Sequence, residues 1–492
     1  MKIAFCASEG VPFSKTGGLA DVVGALPQAL AANGHEVQVF LPRYQATKPA
    51  KMHANGQSVT LPFSDGLLYA NVQDAGQAAG VQTFLVDIPE YFDREGLYQV
   101  KGVDHPDNHL RFAAFSLACL EFLKRLGTAP DVLHCHDWQS ALVPIYLNSL
   151  YSCDDFYSKT GVVFTIHNIG YQGLFSPTVL PDISVDSSLY TMEGLEFWGK
   201  VNFLKGGLVY SDYITTVSRK YAEEIQTAEF GYGLEGILTK RADRLQGILN
   251  GVDYDVWSPA NDKFIAAKFT PGDLAGKQAC KKALLQAMGA ASPVLDRPVI
   301  GIVSRFAAQK GFDLIAGIAE KLMAMDLYIV ALGTGEPIYE ELFRTMAAKY
   351  PDKFLVRVGF DVALSHQTEA GSDMFLMPSR YEPCGLNQIY SLKYGTVPVV
   401  RATGGLDDTI EPFSGKAGTG FKFTDYTPEA LLGAIEQAVA CYRQPKAWRQ
   451  VMVNGMKKDF SWSNSAKQYI KVYQAAKKTK SELKRASAAS NA

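Results

Sequence analysis

The sequence has little of what marks a membrane, secreted or nucleic-acid-binding protein. Its 48 lysines and arginines nearly balance its 50 acidic residues, so the formal net charge is only −2. This balance gives no electrostatic reason to expect a nucleic acid or a membrane surface as partner. The seven cysteines are odd in number and lack framework spacing, which indicates reduced thiols and a cytoplasmic protein. No apolar run reaches membrane-spanning length, and Glu9 interrupts the short N-terminal run, which argues against a signal peptide.

What the chain does have is length and a regular alternation of segments. Its 492 residues exceed what one hydrophobic core usually serves, so at least two domains are expected. In the C-terminal half, β-branched apolar segments alternate with segments of helical periodicity, which predicts a parallel sheet covered by helices on both faces. The predicted strands are Arg297–Phe306, Asp326–Gly333, Lys353–Phe360, Asp373–Pro378 and Val397–Arg401. The predicted helices are Gly311–Met325, Pro337–Lys349 and Gly385–Tyr394.

The N-terminal half shows the same alternation less regularly. Its predicted strands are Lys2–Ala7, His35–Leu41, Gln82–Ile88, Val132–His136 and Val162–Ile166, and its clearest helices are Leu19–Asn33 and Leu110–Leu126. The sequence therefore predicts an α/β protein with two doubly wound domains, joined near Asn250–Pro259, where turn residues break the periodicity. We expect domains at 1–250 and 251–456 and a C-terminal segment at 457–478 with a helix crossing back to the first domain. The tail, 479–492, is expected to be disordered.

Ligands of open parallel sheets bind beyond the carboxyl ends of the strands, and a run of Lys-Thr-Gly-Gly follows the first predicted strand. Two glycines there let backbone N–H groups approach a phosphate, and the following helix N-terminus favours negative charge. The alternative is a glycine turn with a solvated lysine, but its place after the first strand favours the anion site. The candidate residues of this loop and its flanks are Glu9, Lys15, Gly17, Gly18 and Asp21.

A second pair of cations occupies the corresponding position in the C-terminal half. Arg305 and Lys310 leave one strand end together, just before Gly311 and a helix. A bidentate guanidinium beside an ammonium suits a diphosphate. Two ordinary surface cations are the alternative, and the strand-end position favours phosphate binding.

Two further segments follow strands of the same predicted sheet. Glu382 precedes a predicted helix and could accept sugar or ribose hydroxyls, and backbone donors are expected at Thr403 and Gly404. Cys384 lacks a histidine nearby in sequence, so a buried small residue is favoured over a nucleophile. Gly333-Thr334-Gly335 lacks the final glycine of a dinucleotide fingerprint, which argues against NAD.

Polar residues also close two adjacent strands of the N-terminal half. His134 and His136 would share one face of a strand while Cys135 points away, so a metal could reach at most two of the three. No metal is expected there, and Asp253-Tyr254-Asp255 is interpreted as a junction turn. The residues favoured for sugar contact are Asp137, Trp138, His167 and Asn168.

Together these segments resemble the ADP-glucose-dependent glycogen and starch synthases, in order and from residue 1 to about residue 475. The strings that carry the resemblance are Lys15–Leu19, His136–Trp138, His167–Asn168, Asn250–Asp253, Arg305 with Lys310, Glu382–Leu386 and Thr403–Leu406. The resemblance implies the GT-B fold, with two Rossmann-like domains around a deep cleft. It also implies transfer of glucose from ADP-glucose to the non-reducing end of an α-1,4-glucan, with retention and without a cofactor.

The resemblance also assigns roles. It implies that Lys15, Gly18, Arg305 and Lys310 bind the ADP phosphates with backbone help from Thr403 and Gly404. The transferred glucose would be held by Asp137, His167, Asn250 and Glu382. Other donor contacts would come from Gly17, Asp21, Cys384, Gly385 and Leu386, with Phe360 stacking on adenine, and Glu9, Trp138 and Asn168 would contact glucose or acceptor. Related retaining enzymes carry a second glutamate where this chain has Tyr390, so no carboxylate pair is assigned.

No residue identifies a nucleophile on the β-face of the sugar. The resemblance implies a front-face mechanism, in which the departing phosphate accepts the acceptor's proton, and a transient covalent intermediate is the alternative. Two other functions stay open from the residues alone. One is a retaining transferase with another donor, such as UDP-glucose, and the other is a non-catalytic glucan-binding protein. Joint retention of Lys15, Arg305, Lys310 and Glu382 favours the enzyme, because glucan binding alone does not use a diphosphate clamp.

Overall fold

The computed structural model describes residues 1–47, 56–63, 66–290 and 294–490. Its strands, in chain order, are β1 Lys2–Cys6, β2 Glu36–Pro42, β3 Gln57–Phe63, β4 Gly66–Ala78, β5 Val81–Asp87, β6 Gln99–Val100, β7 Val103–Asp104, β8 Val132–His136, β9 Gly161–Ile166, β10 Leu174–Phe175, β11 Glu196–Phe197, β12 Lys200–Asn202, β13 Tyr213–Thr216, β14 Leu245–Gly247, β15 Val299–Val303, β16 Tyr328–Gly333, β17 Phe354–Val358, β18 Met374–Met377, β19 Val397–Arg401 and β20 Phe421–Phe423. Its helices are α1 Gly18–Ala32, α2 Pro89–Phe92, α3 Asn108–Arg125, α4 Leu142–Asn148, α5 Phe203–Tyr210, α6 Arg219–Glu224, α7 Glu235–Lys240, α8 Ala275–Ala287, α9 Phe312–Ala324, α10 Pro337–Lys349, α11 Val362–Gly371, α12 Asn387–Lys393, α13 Gly404–Thr409, α14 Pro428–Tyr442, α15 Pro445–Met456 and α16 Trp462–Ser490.

The chain divides into two compact units. Unit 1 comprises Met1–Val217, Ala222–Gly251 and the residues from Trp462 onward, and unit 2 comprises Ser218–Tyr221 and Val252–Ser461. The boundary after Gly251 falls inside the predicted break at Asn250–Pro259, where the Asp255 amide donates to the Asp253 carboxylate at 2.9 Å in a turn. Among the described residues, no helix is both long and apolar enough to cross a membrane.

Unit 1 is built on a sheet in the order β14-β13-β9-β8-β1-β2-β5-β4-β3. The strands from β14 to β5 pair in parallel, as their consecutive buried apolar residues predict. From β1 the chain first adds strands on one side, at β2, and later on the other, at β8. The strand order therefore reverses between β1 and β8, the kind of position where ligands of doubly wound sheets bind.

The hairpin β3–β4 extends this sheet in antiparallel pairing, and it was not predicted from the sequence. Strand β3 alternates between exposed and buried residues after its first position, which is the pattern of a strand with one solvated face. This period of two is present in the sequence and could have identified the hairpin.

The last helix, α16, returns to unit 1. Its buried residues recur at helical spacing, at Ala466, Tyr469, Tyr473 and Ala476, and they join the core formed by α1 and the sheet. The approach is close, because a Cβ added at Gly161 of β9 would lie 2.8 Å from the backbone of Ala476. The expectation of a disordered tail from 479 is wrong as far as Ser490, since α16 continues to that residue. Alanine and lysine favour helix, and residues 491–492 lie outside the described part.

Unit 2 contains a fully parallel sheet in the order β17-β16-β15-β18-β19-β20. Every predicted strand and helix of this half is present within a few residues of its predicted limits. Helices α9 and α14 pack one face of the sheet into the main apolar core, and α8 contributes to a second core on the other face. Here the strand order reverses between β15 and β18.

Candidate functional site

The loop after β1 is held by one buried carboxylate. Glu9 accepts hydrogen bonds from the backbone amide of Thr16, from the Thr16 hydroxyl at 2.9 Å and from the Gly17 amide at 3.2 Å. The Tyr98 hydroxyl donates to the other side of the same carboxylate at 3.1 Å. In this structure Glu9 therefore positions the Lys-Thr-Gly-Gly loop, while its predicted contact with sugar stays a prediction.

The other end of this loop is open. Lys15 Nζ lies 2.7 Å from Asp21 Oδ1 in a partly exposed ion pair. A Cβ added to Gly17 or Gly18 would meet nothing within 4 Å, and neither glycine has a positive φ. Neither packing nor backbone conformation therefore requires these glycines. The open space at the first turn of α1 suits close approach of an anion to backbone N–H groups.

Asp137 lies directly after β8. The strand order reverses between β1 and β8, a position called the switch point of the sheet, and Asp137 and the Lys-Thr-Gly-Gly loop after β1 lie on its two sides. The φ of Asp137 is 56°, in the left-handed region, a strained conformation for a non-glycine residue that is often found at functional sites. Its carboxylate accepts the His167 backbone amide at 2.7 Å, which joins the ends of β8 and β9. Burial raises the pKa of Asp137 to about 7, the charge of Glu9 adds to this, and the amides of His167 and Asn168 oppose it.

The three histidines of this edge form a chain of neutral rings. His136 Nδ1 lies 3.0 Å from His167 Nε2, and His134 bonds to the hydroxyls of Thr165 at 2.6 Å and Tyr473 at 2.8 Å. Burial lowers the pKa of His167 to about 3 and holds the pKa values of His134 and His136 well below their ordinary value. In the described part of the chain no three His, Cys, Asp or Glu side chains could together hold a metal ion.

Two predicted sugar contacts of this edge differ in exposure. Trp138 is buried, with its ring 5.1 Å from that of Phe112, and a Cβ at Gly173 would lie 2.6 Å from its indole. Trp138 therefore packs in the core and supports the loop at Gly173, while its predicted contact with sugar stays a prediction. Asn168 is partly exposed and accepts the Gly170 amide at 3.0 Å.

Asn250, which lies just before the chain passes from unit 1 to unit 2, was predicted to contact glucose. It is buried, and its side-chain oxygen lacks a hydrogen-bond partner within the described residues. A buried acceptor without a partner is unfavourable by about 1–3 kcal/mol, and a ligand hydroxyl would satisfy it. This orphaned atom supports the predicted role.

In unit 2, the predicted cations meet a buried carboxylate at the β15/β18 switch point. A cavity of about 180 Å³ there is lined by Arg305, Lys310, Ser379 and Glu382, among others. Lys310 Nζ lies 2.6 Å from Glu382 Oε2, and the Ser379 hydroxyl donates to the same oxygen at 2.9 Å. Arg305 is exposed beside this pair. The site thus combines an exposed guanidinium with a fixed ammonium–carboxylate pair.

The glycines around this cavity are required by close packing. Gly311 has a φ of 73°, and a Cβ there would lie 2.0 Å from the Pro378 carbonyl oxygen. Gly404 has a φ of 46°, and its Cβ would lie 2.0 Å from the Glu382 carbonyl oxygen. The Gly405 amide also donates to the Glu382 carbonyl at 3.0 Å. The loop that begins at Thr403 is therefore packed against the segment that carries the Glu382 carboxylate.

The remaining predicted donor residues of unit 2 lie in two places. Cys384 is buried, Gly385 is left-handed with φ 68°, and Leu386 immediately precedes α12 and lines the cavity. Phe360 follows β17 and is 86% exposed. Such an exposed ring is available for stacking on a planar base.

Several supporting residues of these sites were not predicted. Tyr98, Ser379 and Asn387 hold Glu9, Glu382 and the Val303 carbonyl, respectively. Tyr390 stacks on Trp257 with ring centroids 3.9 Å apart, so the residue that replaces the second glutamate packs in the core of unit 2. Only Ser379, next to a predicted strand end, had a signal in the sequence.

The class of protein follows from models of known families. The model described as "Starch synthase catalytic domain" matches residues 2–240, and the model "Glycosyl transferases group 1" matches residues 289–452. The chain is therefore a two-domain glycosyltransferase, and its parallel sheets with polar and charged groups at both switch points agree with that class.

Full-length relatives narrow the class. A glycogen synthase of Koribacter versatilis is 54% identical and covers 98% of this chain and 100% of its own length. A glycogen synthase of Geotalea daltonii is 46% identical, covering 96% and 98%. The catalytic domain of starch synthase IV from Arabidopsis thaliana, solved with ADP and acarbose, is 33% identical with a TM-score of 0.89, covering 97% of this chain and 99% of that chain.

This chain belongs to the glycogen and starch synthase family of hexosyltransferases. The expected GT-B fold is confirmed by the likeness to the Arabidopsis enzyme.

Proposed function

We propose that this protein transfers glucose from ADP-glucose to the non-reducing end of an α-1,4-glucan with retention of configuration. The observation that carries the proposal is the set of Arg305, Lys310 and Glu382 around one cavity at the β15/β18 switch point. Such a set offers two positive charges to a diphosphate and one carboxylate to sugar hydroxyls. Family membership supplies the reaction class.

In this proposal unit 2 binds the diphosphate leaving group. As the bond between the sugar and the diphosphate breaks, negative charge grows on the phosphate oxygens, and cations fixed in advance stabilise it without rearrangement. Lys310 donates to Glu382, whose carboxylate also accepts the Ser379 hydroxyl, and Arg305 can bind two oxygens at once. Thr403 and Gly404 contribute backbone contacts, Cys384, Gly385 and Leu386 line the donor, and Phe360 stacks on adenine.

Unit 1 holds the transferred glucose and adds a third cation. Lys15 exchanges its exposed partner Asp21 for a phosphate oxygen, with Gly17 and Gly18 leaving room for it. Asp137, His167 and Asn250 bind sugar hydroxyls, with Asn168 at the edge. Because the pKa of His167 is lowered to about 3, His167 acts as a neutral hydrogen-bonding group and adds no charge near the oxocarbenium-like sugar.

The proposal includes retention of configuration and metal independence. The proposal uses the front-face route, in which an oxygen of the departing phosphate takes the proton of the attacking 4-hydroxyl. Arg305, Lys310 and Lys15 take the place of a divalent cation on the diphosphate. A cytoplasmic location is part of the proposal, supported by seven free cysteines.

The test is a donor panel with glycogen as acceptor. Radiolabelled glucose should enter glycogen from ADP-glucose far faster than from UDP-glucose, and β-amylase should release the label because the new linkages are α-1,4. The Arg344→Ala variant, which removes an exposed arginine of α10 away from the cavity, is the matched control and should behave as wild type. Equal or inverted donor rates would remove the ADP-glucose assignment. Binding of glucan without transfer from any donor would indicate a non-catalytic protein.

A further inference from the structure

Unit 2 contains a further cavity at the edge of its sheet opposite to the switch point. The volume of this cavity is about 520 Å³, against about 180 Å³ for the cavity around Arg305 and Lys310, and the two have no lining residue in common. Pro298 and Asp373, which line the larger cavity, immediately precede β15 and β18. The same two strands end at the switch point, so the five-residue strand β15, roughly 15–17 Å long, separates the two cavities. We call the larger one the amino-edge cavity.

The amino-edge cavity has an excess of positive charge. Its lining contains three carboxylates and the cations Lys277, Lys281, Arg443 and Arg449. Lys281 Nζ lies 2.7 Å from Asp373 Oδ2, so these two charges are paired. Asp326 pairs in the same way with Arg297, at 2.6 Å. Three cations therefore face the single remaining carboxylate, which is that of Asp296.

The two arginines of the lining have guanidinium groups available to a ligand. Arg443 and Arg449 are exposed, and within the described part of the chain neither forms an ion pair with a carboxylate. Arg449 donates to the Gly272 carbonyl at 3.3 Å, which uses one of the five N–H groups of its guanidinium. Pro445, the first residue of α15, also lines the cavity, and the positive end of a helix dipole adds to the attraction for an anion.

Lys277 brings a buried ammonium group to the same lining. It is 5% exposed, and its Nζ donates to the Ala370 and Tyr394 carbonyls at 3.1 and 3.0 Å and to the Thr396 hydroxyl at 2.7 Å. All three acceptors are neutral. Burial lowers the pKa of Lys277 to about 8, because a charge without a directly bonded counter-ion is unfavourable in the interior. An anion in the cavity would offset this cost.

We propose that the amino-edge cavity binds a small sugar phosphate, a phosphomonoester that carries several hydroxyl groups. Its charge of about −2 near pH 7 balances the three unpaired cations and one carboxylate of the lining. The phosphate group suits Arg443 and Arg449, because a guanidinium can bind two phosphate oxygens at once. The carboxylates of Asp296 and Asp326 accept sugar hydroxyls, and the volume is that of a small-molecule site.

A nucleotide fits the amino-edge cavity less well than a sugar phosphate does. The aromatic side chains of the lining are Tyr442 and Trp448. Their rings pack edge to face with centroids 5.2 Å apart, and Trp448 is only 7% exposed. The indole is therefore occupied by packing within the protein and is not open to a base. The inference concerns a site outside the donor and acceptor sites of the proposed function and does not rest on that function.

The test is calorimetric titration of ribose 5-phosphate into the full chain. The double variant Arg443→Gln/Arg449→Gln should raise Kd at least about tenfold, because it removes two charge-assisted contacts. The matched control is Lys282→Gln/Lys446→Gln, which removes the same charge at exposed residues of α8 and α15 outside the lining and should leave Kd within twofold of wild type. Gln278→Glu, which adds a carboxylate to the lining, should also weaken binding and provides an independent variant.

The site of binding is checked with Arg305→Ala, which should bind ribose 5-phosphate as wild type does. Absence of binding to wild type, an unchanged Kd in the arginine double variant and in Gln278→Glu, or loss of binding in Arg305→Ala would each overturn the inference. Equally tight binding of inorganic phosphate or of ribose alone would contradict a sugar phosphate, and so would tighter binding of AMP that depends on Arg443 and Arg449. Because the titration uses neither donor nor glucan, it tests the cavity even if wild type transfers no glucose.

Discussion

The two switch points occupy the same position in their sheets and are built in opposite ways. In unit 2, Gly311 and Gly404 are glycines because backbone oxygens lie 2.0 Å from where a Cβ would be, and Lys310 is already paired with a buried carboxylate. In unit 1, Gly17 and Gly18 border open space, and Lys15 pairs with Asp21 at the surface. An exposed pair of this kind contributes at most about 1 kcal/mol. The switch point of unit 2 is therefore preassembled by close packing, whereas in unit 1 Glu9 holds the amides of Thr16 and Gly17 and the Lys15 side chain is partly exposed.

The largest expected effect is the loss of kcat when Arg305 is removed from the preassembled switch point of unit 2. Arg305→Ala should lower kcat by roughly a hundred- to a thousandfold, the usual loss when one preorganised donor is removed. Steady-state kinetics measure this, and the melting temperature should not change because Arg305 is exposed. Lys310→Ala should in addition lower the melting temperature, since it leaves the Glu382 carboxylate without its cation. A kcat within a few-fold of wild type, with only the donor KM raised, would mean that Arg305 binds the ground state alone.

The two units should differ most sharply in how alanine substitution of a switch-point glycine changes the free energy of unfolding. Gly311→Ala should lower the free energy of unfolding by roughly 2–4 kcal/mol, because it adds overlap to a strained φ. Gly18→Ala should leave that free energy unchanged or raise it by up to about 1 kcal/mol, since alanine favours helix, while kcat/KM for the donor falls. Urea unfolding and kinetics on both variants measure this. Comparable destabilisation by the two substitutions would contradict the account.

The raised pKa of Asp137, a residue of unit 1, predicts that both stability and kcat/KM depend on pH. Because its pKa is about 7 in the fold and 3.8 ordinarily, the folded state binds the proton more tightly. Ionisation of Asp137 therefore opposes folding fully above pH 7, and this penalty is lost as the pH falls toward 4. If the carboxylate form binds the sugar, kcat/KM should fall as the pH drops below about 7.

The control for that dependence is Asp137→Asn, which cannot ionise. Its pH–rate profile should lack the limb near pH 7, and its stability should change less between pH 5 and pH 8 than that of wild type. A limb of the same midpoint in the variant would assign the titration to another group.

The smallest expected effect is that of removing metals. If side-chain cations neutralise the diphosphate, dialysis against EDTA should change the initial rate by less than about twofold, within ordinary assay scatter. The comparison is the same assay with added magnesium. Loss of activity that magnesium or manganese restores would bring Asp253 and Asp255 back as candidate ligands.

Much of the fold was predictable from particular segments. The strands of unit 2 are buried on both faces, so runs such as Val299–Val303 carry consecutive apolar residues that leave little ambiguity. The position of Arg305, Lys310 and Glu382 at one edge of the sheet was predictable because they lie in the loops that follow such strands. Contacts between residues far apart in sequence were not, as with Tyr98 on Glu9, 89 positions away. The burial of Trp138 was missed because it depends on Phe112 and Gly173, which lie far from it in sequence.

The most direct test of the difference between the two switch points is calorimetric titration of ADP into wild type, Arg305→Ala and Lys15→Gln. The preassembled site of unit 2 predicts that Arg305→Ala weakens ADP binding by at least about tenfold, the loss expected for a charge-assisted bidentate contact. Lys15→Gln should weaken it by no more than a few-fold, because Lys15 exchanges one exposed partner for another. Unchanged affinity in Arg305→Ala, or a larger loss in Lys15→Gln than in Arg305→Ala, would contradict the account.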